Sequence, residues 1–218
     1  MSRWNVADVM TFGAVSVQED TPFKEIVDLL EAHGVNAVPV VDGSDRVIGV
    51  VSSADLLPKI EFAGDDERAH PFEGRETRRA RAKVHATAAG ELMSAPAITV
   101  SGRASLPKAA RIMEAAGLKR LPVVDSAGRL VGMVTRHDLL KVFLRSDAEI
   151  RREILEFVDL DRLRVEVDDG VVTLLGEVGR EEAIPVFVRR IERVDGVVDV
   201  VNYLSAGPRA SGAGPARA

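Results

Sequence analysis

Displaced by 83 positions and laid on itself, the sequence matches residues 9–57 to residues 92–140 without a gap, and 16 of the 49 pairs are identical. The identities pair Met10 with Met93, Gly34 with Gly117, Pro39-Val40-Val41-Asp42 with Pro122-Val123-Val124-Asp125, Gly49 with Gly132, and Asp55-Leu56-Leu57 with Asp138-Leu139-Leu140. Two copies at so long a period are not a solenoid; they are one supersecondary unit duplicated. About 50 residues bury too little core to stand alone, so the copies are expected to pack on each other.

Each copy reads the same way. Thr21-Pro22 predicts an N-cap and a first helical proline, and Ile26, Leu29, Leu30 and His33 then share a face. Gly34 stops this helix in the left-handed conformation that glycine adopts at little cost. Ala37 to Val41 and Val47 to Val51 predict two strands around the polar turn Asp42-Gly43-Ser44-Asp45, and a closing helix starts near Asp55. In the second copy Ala109, Ile112, Met113 and Ala116 lie on the helix, Gly117 is the stop, and strands run near Leu121 to Val124 and Leu130 to Val134, before a closing helix from Asp138.

Val9-Met10 and Leu92-Met93, the spacing Gly34 to Pro39 and Gly117 to Pro122, and Gly-x-x-Ser/Thr-x-x-Asp at Gly49 to Asp55 and Gly132 to Asp138 resemble the cystathionine β-synthase (CBS) domain, twice. A tandem pair of that family is a Bateman module. The resemblance implies a ligand sensor rather than an enzyme, clefts that take AMP, ADP, ATP or S-adenosylmethionine, and a homodimer formed through the repeats. It implies no obligatory cofactor.

Independent of the resemblance, an ionised carboxylate at Asp55 or Asp138 can accept both hydroxyls of a ribose, and its place at a helix start favours the charged form. Ser52 or Thr135 puts a hydroxyl on the same turn, and backbone groups around Ala37, Val38 and Pro39 or Arg120, Leu121 and Pro122 could read an adenine edge. The same residues also match a capping box that binds nothing. The copies differ in charge: Asn36, Ala37, Ser53 and Ala54 of the first are replaced by Lys119, Arg120, Arg136 and His137 in the second. Arginine forks suit a phosphate, so the second half-site (Lys119 to Pro122, Thr135 to Asp138) is expected to take the phosphate-bearing ligand. The first half-site (Asn36, Ala37, Val38, Pro39, Ser52, Ser53, Asp55) is then either unused or takes a less anionic one.

After Asp147 the pattern changes. Ile150, Ile154, Leu155 and Val158 predict a helix, Leu163, Val165 and Val167 a strand, Asp168-Asp169-Gly170 a hairpin turn, and Val171 to Val178 its return. A helix with Ile184, Phe187, Val188 and Ile191 on one face and a strand from Val197 to Tyr203 complete an αββαβ order. Val172-x-Leu174-x-Gly176-x-Val178 and Val194-x-Gly196-Val197-x-x-Val200-x-Asn202-x-Leu204 resemble a BON domain, with Pro185 a departure near the second helix start. The expected fold is mixed, α+β with α/β character: two packed repeats plus this small domain. Its divisions are repeat 1 at 1–60, a charged linker at 61–87, repeat 2 at 88–145, the BON-like domain at 146–205 and a disordered tail at 206–218.

Net charge is −6 over residues 1–57, +1 over 58–87, +5 over 88–145 and −5 over 146–218. That distribution lacks the continuous basic face of a general nucleic-acid binder, and an acidic BON-like segment is repelled by anionic lipid. Neither nucleic acid nor membrane is therefore the expected partner, and the BON-like domain is expected to meet a protein of unknown identity. Two other readings remain: a dimerisation scaffold without ligand, and an RNA or membrane-surface binder acting through Arg75, Arg78, Arg79, Arg81 and Lys83. With no cysteine, no metal spacing among His33, His70, His85 and His137, no nucleophile motif, no secretory leader and no apolar run near the roughly 18 residues a span needs, a soluble, cytoplasmic, non-catalytic protein without a metal is expected.

Overall fold

A computed structural model describes residues 4–62, 83–158 and 163–207. Most of the expected linker, with Arg75, Arg78, Arg79 and Arg81, and nearly all of the expected tail lie outside the described residues. The chain divides into two compact units, Val6–Arg136 and a second made of Met1–Asn5 with His137–Ala218.

In the first unit the first repeat supplies α1 (Val6–Val9), β1 (Thr11–Phe12), β2 (Val17–Gln18), α2 (Phe23–Ala32), β3 (Ala37–Val41), β4 (Val47–Ser52), α3 (Ser53–Leu56) and α4 (Pro58–Glu61). The second supplies α5 (Ala89–Leu92), β5 (Val100–Ser101), α6 (Leu106–Ala115), β6 (Arg120–Val124) and β7 (Leu130–Thr135); α7 (Arg136–Leu139), whose first residue ends this unit, and a 3-10 turn over Leu140–Leu144 follow. One sheet has the order β2-β3-β4, the other β1-β7-β6-β5.

The repeats trade their leading segments. Strand β1 pairs antiparallel with β7, Thr11 opposite Met133, and the equivalent Ser94 bridges Val50 of β4. The Val6 N–H donates to the Ala104 carbonyl at 2.9 Å and the Ala89 N–H to the Thr21 carbonyl at 2.9 Å, the same bond seen from each copy. Around the local two-fold, Arg46 bridges its own equivalent Arg129. The core of the first repeat (Val17, Ile26, Leu30, Val38, Val40, Val51) accordingly closes with Ala89 and Leu92 from the second and Ala86 from just ahead of it.

This exchange explains two motif glycines. A Cβ on Gly132 would run into the Thr11 carbonyl, and one on Gly49 would overlap the Met93 side chain. Glycine is needed there for close approach of the traded segment.

Two local expectations are corrected. Pro22 is itself the cap residue of α2 (φ −65°, ψ 149°), which starts at Phe23; Thr21 Oγ1 instead accepts the Gln18 N–H at 2.9 Å. The Phe23 N–H, an orphan of the helix end, donates to the Thr87 carbonyl just ahead of the second repeat at 2.8 Å. The closing helix of the first copy is not one element: Pro58, which has no N–H to offer the preceding turn, divides it into α3 and α4.

The second unit holds α8 (Asp147–Leu155), β8 (Leu163–Asp168), β9 (Val171–Val178), a 3-10 turn (Glu181–Ala183), α9 (Ile184–Ile191) and β10 (Asp199–Ala206). Strand order is β10-β9-β8, with β10 parallel and β8 antiparallel to β9. Asp169 and Gly170 both take positive φ (48° and 75°), which matches the twist of a tight hairpin. Pro185 falls in the first turn of α9, where a missing N–H is harmless, so the departure from the BON pattern is absorbed. Ile150, Ile154, Val165, Val172, Leu174 and Ile191 form the core. Gly196 (φ 93°) lets its loop approach the Val142 carbonyl: a Cβ there would lie 3.0 Å from that oxygen. Among the described residues no helix is long and apolar enough to cross a membrane.

Candidate functional site

The cleft that matters lies inside the first unit, between the repeats. It encloses about 450 Å³ and is lined by Asn36, Ala37, Val50, Ser52, Ser53, Ala54 and Asp55 of the first copy and by Ser94, Pro96, Ala97, Ile98, Gly117, Leu118, Lys119, Arg120 and Pro122 of the second. The loop after α2, the end of β4 and the start of α3 make one wall; the loop after α6, the start of β6 and the traded segment after α5 make the other.

Asp55 is the polar centre of the first wall. Its Oδ2 accepts the Ser52 N–H at 2.8 Å and the Ser52 hydroxyl at 2.6 Å, the bonds of a cap at the start of α3. Its Oδ1 faces the Lys83 ammonium, and the Ser94 hydroxyl at 3.4 Å. The capping geometry foreseen for Ser52-Ser53-Ala54-Asp55 is thus formed, and the carboxylate also borders a cleft large enough for a small molecule.

On the opposite wall Arg120 is half-buried, and partial burial pulls its guanidinium below the usual arginine range, though arginine remains a cation. Within the first unit no carboxylate is described within ion-pair distance of it. Lys119 beside it is exposed. Arg136, the other arginine of the basic set, does not line the cleft. Its Nε donates to the Leu118 carbonyl at 2.8 Å and its Nη2 reaches Glu114 at 3.4 Å, so it finishes the C-terminal end of α6.

The sequence grouping by repeat and the structural grouping differ. The cleft unites Asn36, Ala37, Ser52, Ser53 and Asp55 with Lys119, Arg120 and Pro122. Val38 and Leu121 have side chains in the core (1% and 0% exposed), and Pro39 is buried in β3. Thr135 ends β7 outside the cleft lining. His137 and Asp138 belong to the second unit, where Asp138 is buried and pairs with Lys141 at 2.7 Å. The residues that sequence reasoning missed are Lys83, Ser94, Pro96, Ala97 and Ile98. Ser94, Pro96, Ala97 and Ile98 come to face the first wall through the exchange of leading segments, and Lys83 meets Asp55 across 28 residues, so neither leaves a local signal; the alignment of Ser94 with Thr11 is a hint to the first. No three His, Asp or Glu side chains gather as metal ligands among the described residues.

Residues 6–61 and 89–145 match the CBS domain, and residues 146–208 match the BON domain. An uncharacterized protein of Methanopyrus kandleri is 32% identical over 133 residues, 61% of this chain and 59% of that protein. The chloroplastic CBS domain-containing protein CBSX2 of Arabidopsis thaliana is 30% identical over 146 residues, 63% of this chain and 60% of that protein. The chain therefore spans about three fifths of the length of these curated relatives. A crystal structure of CBSX2 in complex with AMP superposes with a TM-score of 0.56 at 31% identity, over 65% of this chain and 97% of that one. With both repeats matched and the fold shared, the chain belongs to the CBS-domain family, as a tandem CBS pair followed by a BON domain.

Proposed function

We propose that the chain is a non-catalytic, cytoplasmic regulatory protein that senses an adenosine-containing ligand in the cleft between its CBS repeats and passes the signal through its BON domain to a protein partner. The observation that carries this is a carboxylate, Asp55, and a half-buried cation, Arg120, on opposite walls of one cleft of about 450 Å³. Asp55 suits ribose hydroxyls, and the Arg120 fork suits a phosphate. AMP leads the candidates because CBSX2, which shares fold and sequence with this chain, has been crystallised with it; ADP, ATP and S-adenosylmethionine are the other members of the class. A second copy of the chain is the proposed cover for the apolar Leu57, at the start of α4, and Ile60 within it, which are 55% and 75% exposed.

The test is a thermal-shift series with AMP, ADP, ATP, S-adenosylmethionine and GMP on the wild type, Asp55→Asn and Arg120→Ala. A ligand that binds only the folded state stabilises it by about 2.7 kcal/mol at 100 times its Kd. A rise with an adenine compound, absent with GMP and lost in Asp55→Asn, is expected. Unchanged melting with every nucleotide at millimolar concentration overturns the proposal and favours the reading that the Ser52 and Asp55 bonds support equally, a dimerisation scaffold in which Asp55 only caps α3.

A further inference from the structure

Both repeat aspartates face a lysine, but the lysines come from different places. Asp138 pairs with Lys141 three residues on, within its own turn. Asp55 pairs with Lys83, 28 residues on, from the stretch ahead of the second repeat.

An ionised carboxylate offers about four acceptor positions. At Asp55 the Ser52 N–H and hydroxyl occupy two on Oδ2, and Lys83 and the Ser94 hydroxyl take those of Oδ1. A ribose diol can bond this carboxylate only by displacing a donor. The Ser52 bonds belong to a helix start and are fixed by local backbone, whereas the Lys83 ammonium sits on a flexible four-carbon stem with its side chain 18% exposed.

We infer that Lys83 is an intramolecular competitor of the ligand at Asp55, an affinity-setting residue that lies between the two stretches that match the CBS domain. This rests on the adenosine reading above. Binding of the ribose releases the Lys83 ammonium, and removal of the ammonium tightens binding.

The experiment titrates adenosine, which carries no phosphate for Lys83 to meet, into full-length wild type, Lys83→Met and Lys83→Arg. Removing a competing state raises apparent affinity by the reciprocal of the competent fraction, so Kd is expected to fall about fivefold or more in Lys83→Met. Lys83→Arg, which keeps the ion pair, is expected to bind as the wild type does. A Kd unchanged or raised in Lys83→Met overturns the inference. A second measurement needs no variant: the acylation rate of the Lys83 amine in the wild type, followed by mass spectrometry, is expected to rise on addition of adenosine. A constant or reduced rate overturns the inference as well. If the wild type binds adenosine or AMP saturably and Lys83 makes no difference, only the competitor role falls. If no variant binds either compound, the ligand reading itself falls, and this one with it.

Discussion

Arg120 and Arg136 carry the same charge 16 positions apart and do different work. Arg120 lines the cleft, half-buried, while Arg136 is spent on the Leu118 carbonyl and Glu114 at the end of α6. Arg120→Ala is therefore expected to weaken AMP by about tenfold or more, the scale of one lost charge-assisted hydrogen bond. Arg136→Ala is expected to leave AMP affinity unchanged and to lower the melting temperature; titration calorimetry and melting on the same samples separate the two. A loss of AMP affinity in Arg136→Ala would return the phosphate to the end of β7. In the second unit, the Ser146 N–H, and then its hydroxyl, hold the Glu149 carboxyl below the usual glutamate range. The folded pKa is depressed, so this stabilisation is present above the unfolded value and disappears as pH falls through the folded one. Glu149→Gln should accordingly flatten that part of the stability curve between neutral and acid pH, and urea unfolding at a series of pH values checks it.

At the scale of elements, the exchanged segments make unequal demands on the two motif glycines. At Gly132 an added methyl meets a backbone carbonyl, which cannot step aside; at Gly49 it meets Met93, whose thioether chain can. Gly132→Ala is expected to cost about 1–3 kcal/mol, the range of overpacked sites, and Gly49→Ala less. Equal losses in denaturant midpoints would contradict the distinction. The same exchange marks where sequence reading stops. α2, α6, the hairpins β3-β4, β6-β7 and β8-β9 and the helix α8 are legible because periodicity and turn residues are local signals, and the repeat doubles them. Strands β1 and β5 are two residues long, and β1 finds its partner in the other copy, over 100 residues away. No window of sequence records that choice. For this reason Asp55, Ser52 and Asn36 are legible as polar residues of a site, while the sequence groups Arg120 with the second half-site and gives no sign of Ser94 across the cleft. Thr21 is not a cap for a related reason: the donor it would cap, the Phe23 N–H, is satisfied by Thr87, ahead of the second repeat.

For the molecule as a whole, the first repeat has no complete core of its own. Residues 1–60 alone lack Ala86, Ala89 and Leu92, three fully or nearly buried side chains of the cluster around Ile26. Expressed by themselves they are expected to remain unfolded, with amide exchange at the unprotected rate, and cooperative melting of that fragment would refute the expectation. The dependence runs both ways, since the second sheet needs β1 from the first copy. Scission of the peptide between residues 62 and 83 would therefore not part the halves: the first fragment would still hold the strand β1 that the second requires, and the second the buried Ala86, Ala89 and Leu92 that the first requires. Two separately encoded polypeptides, 1–72 and 73–218, should find one another and restore the fold, so that the join between the copies governs their ratio and encounter rate rather than their architecture.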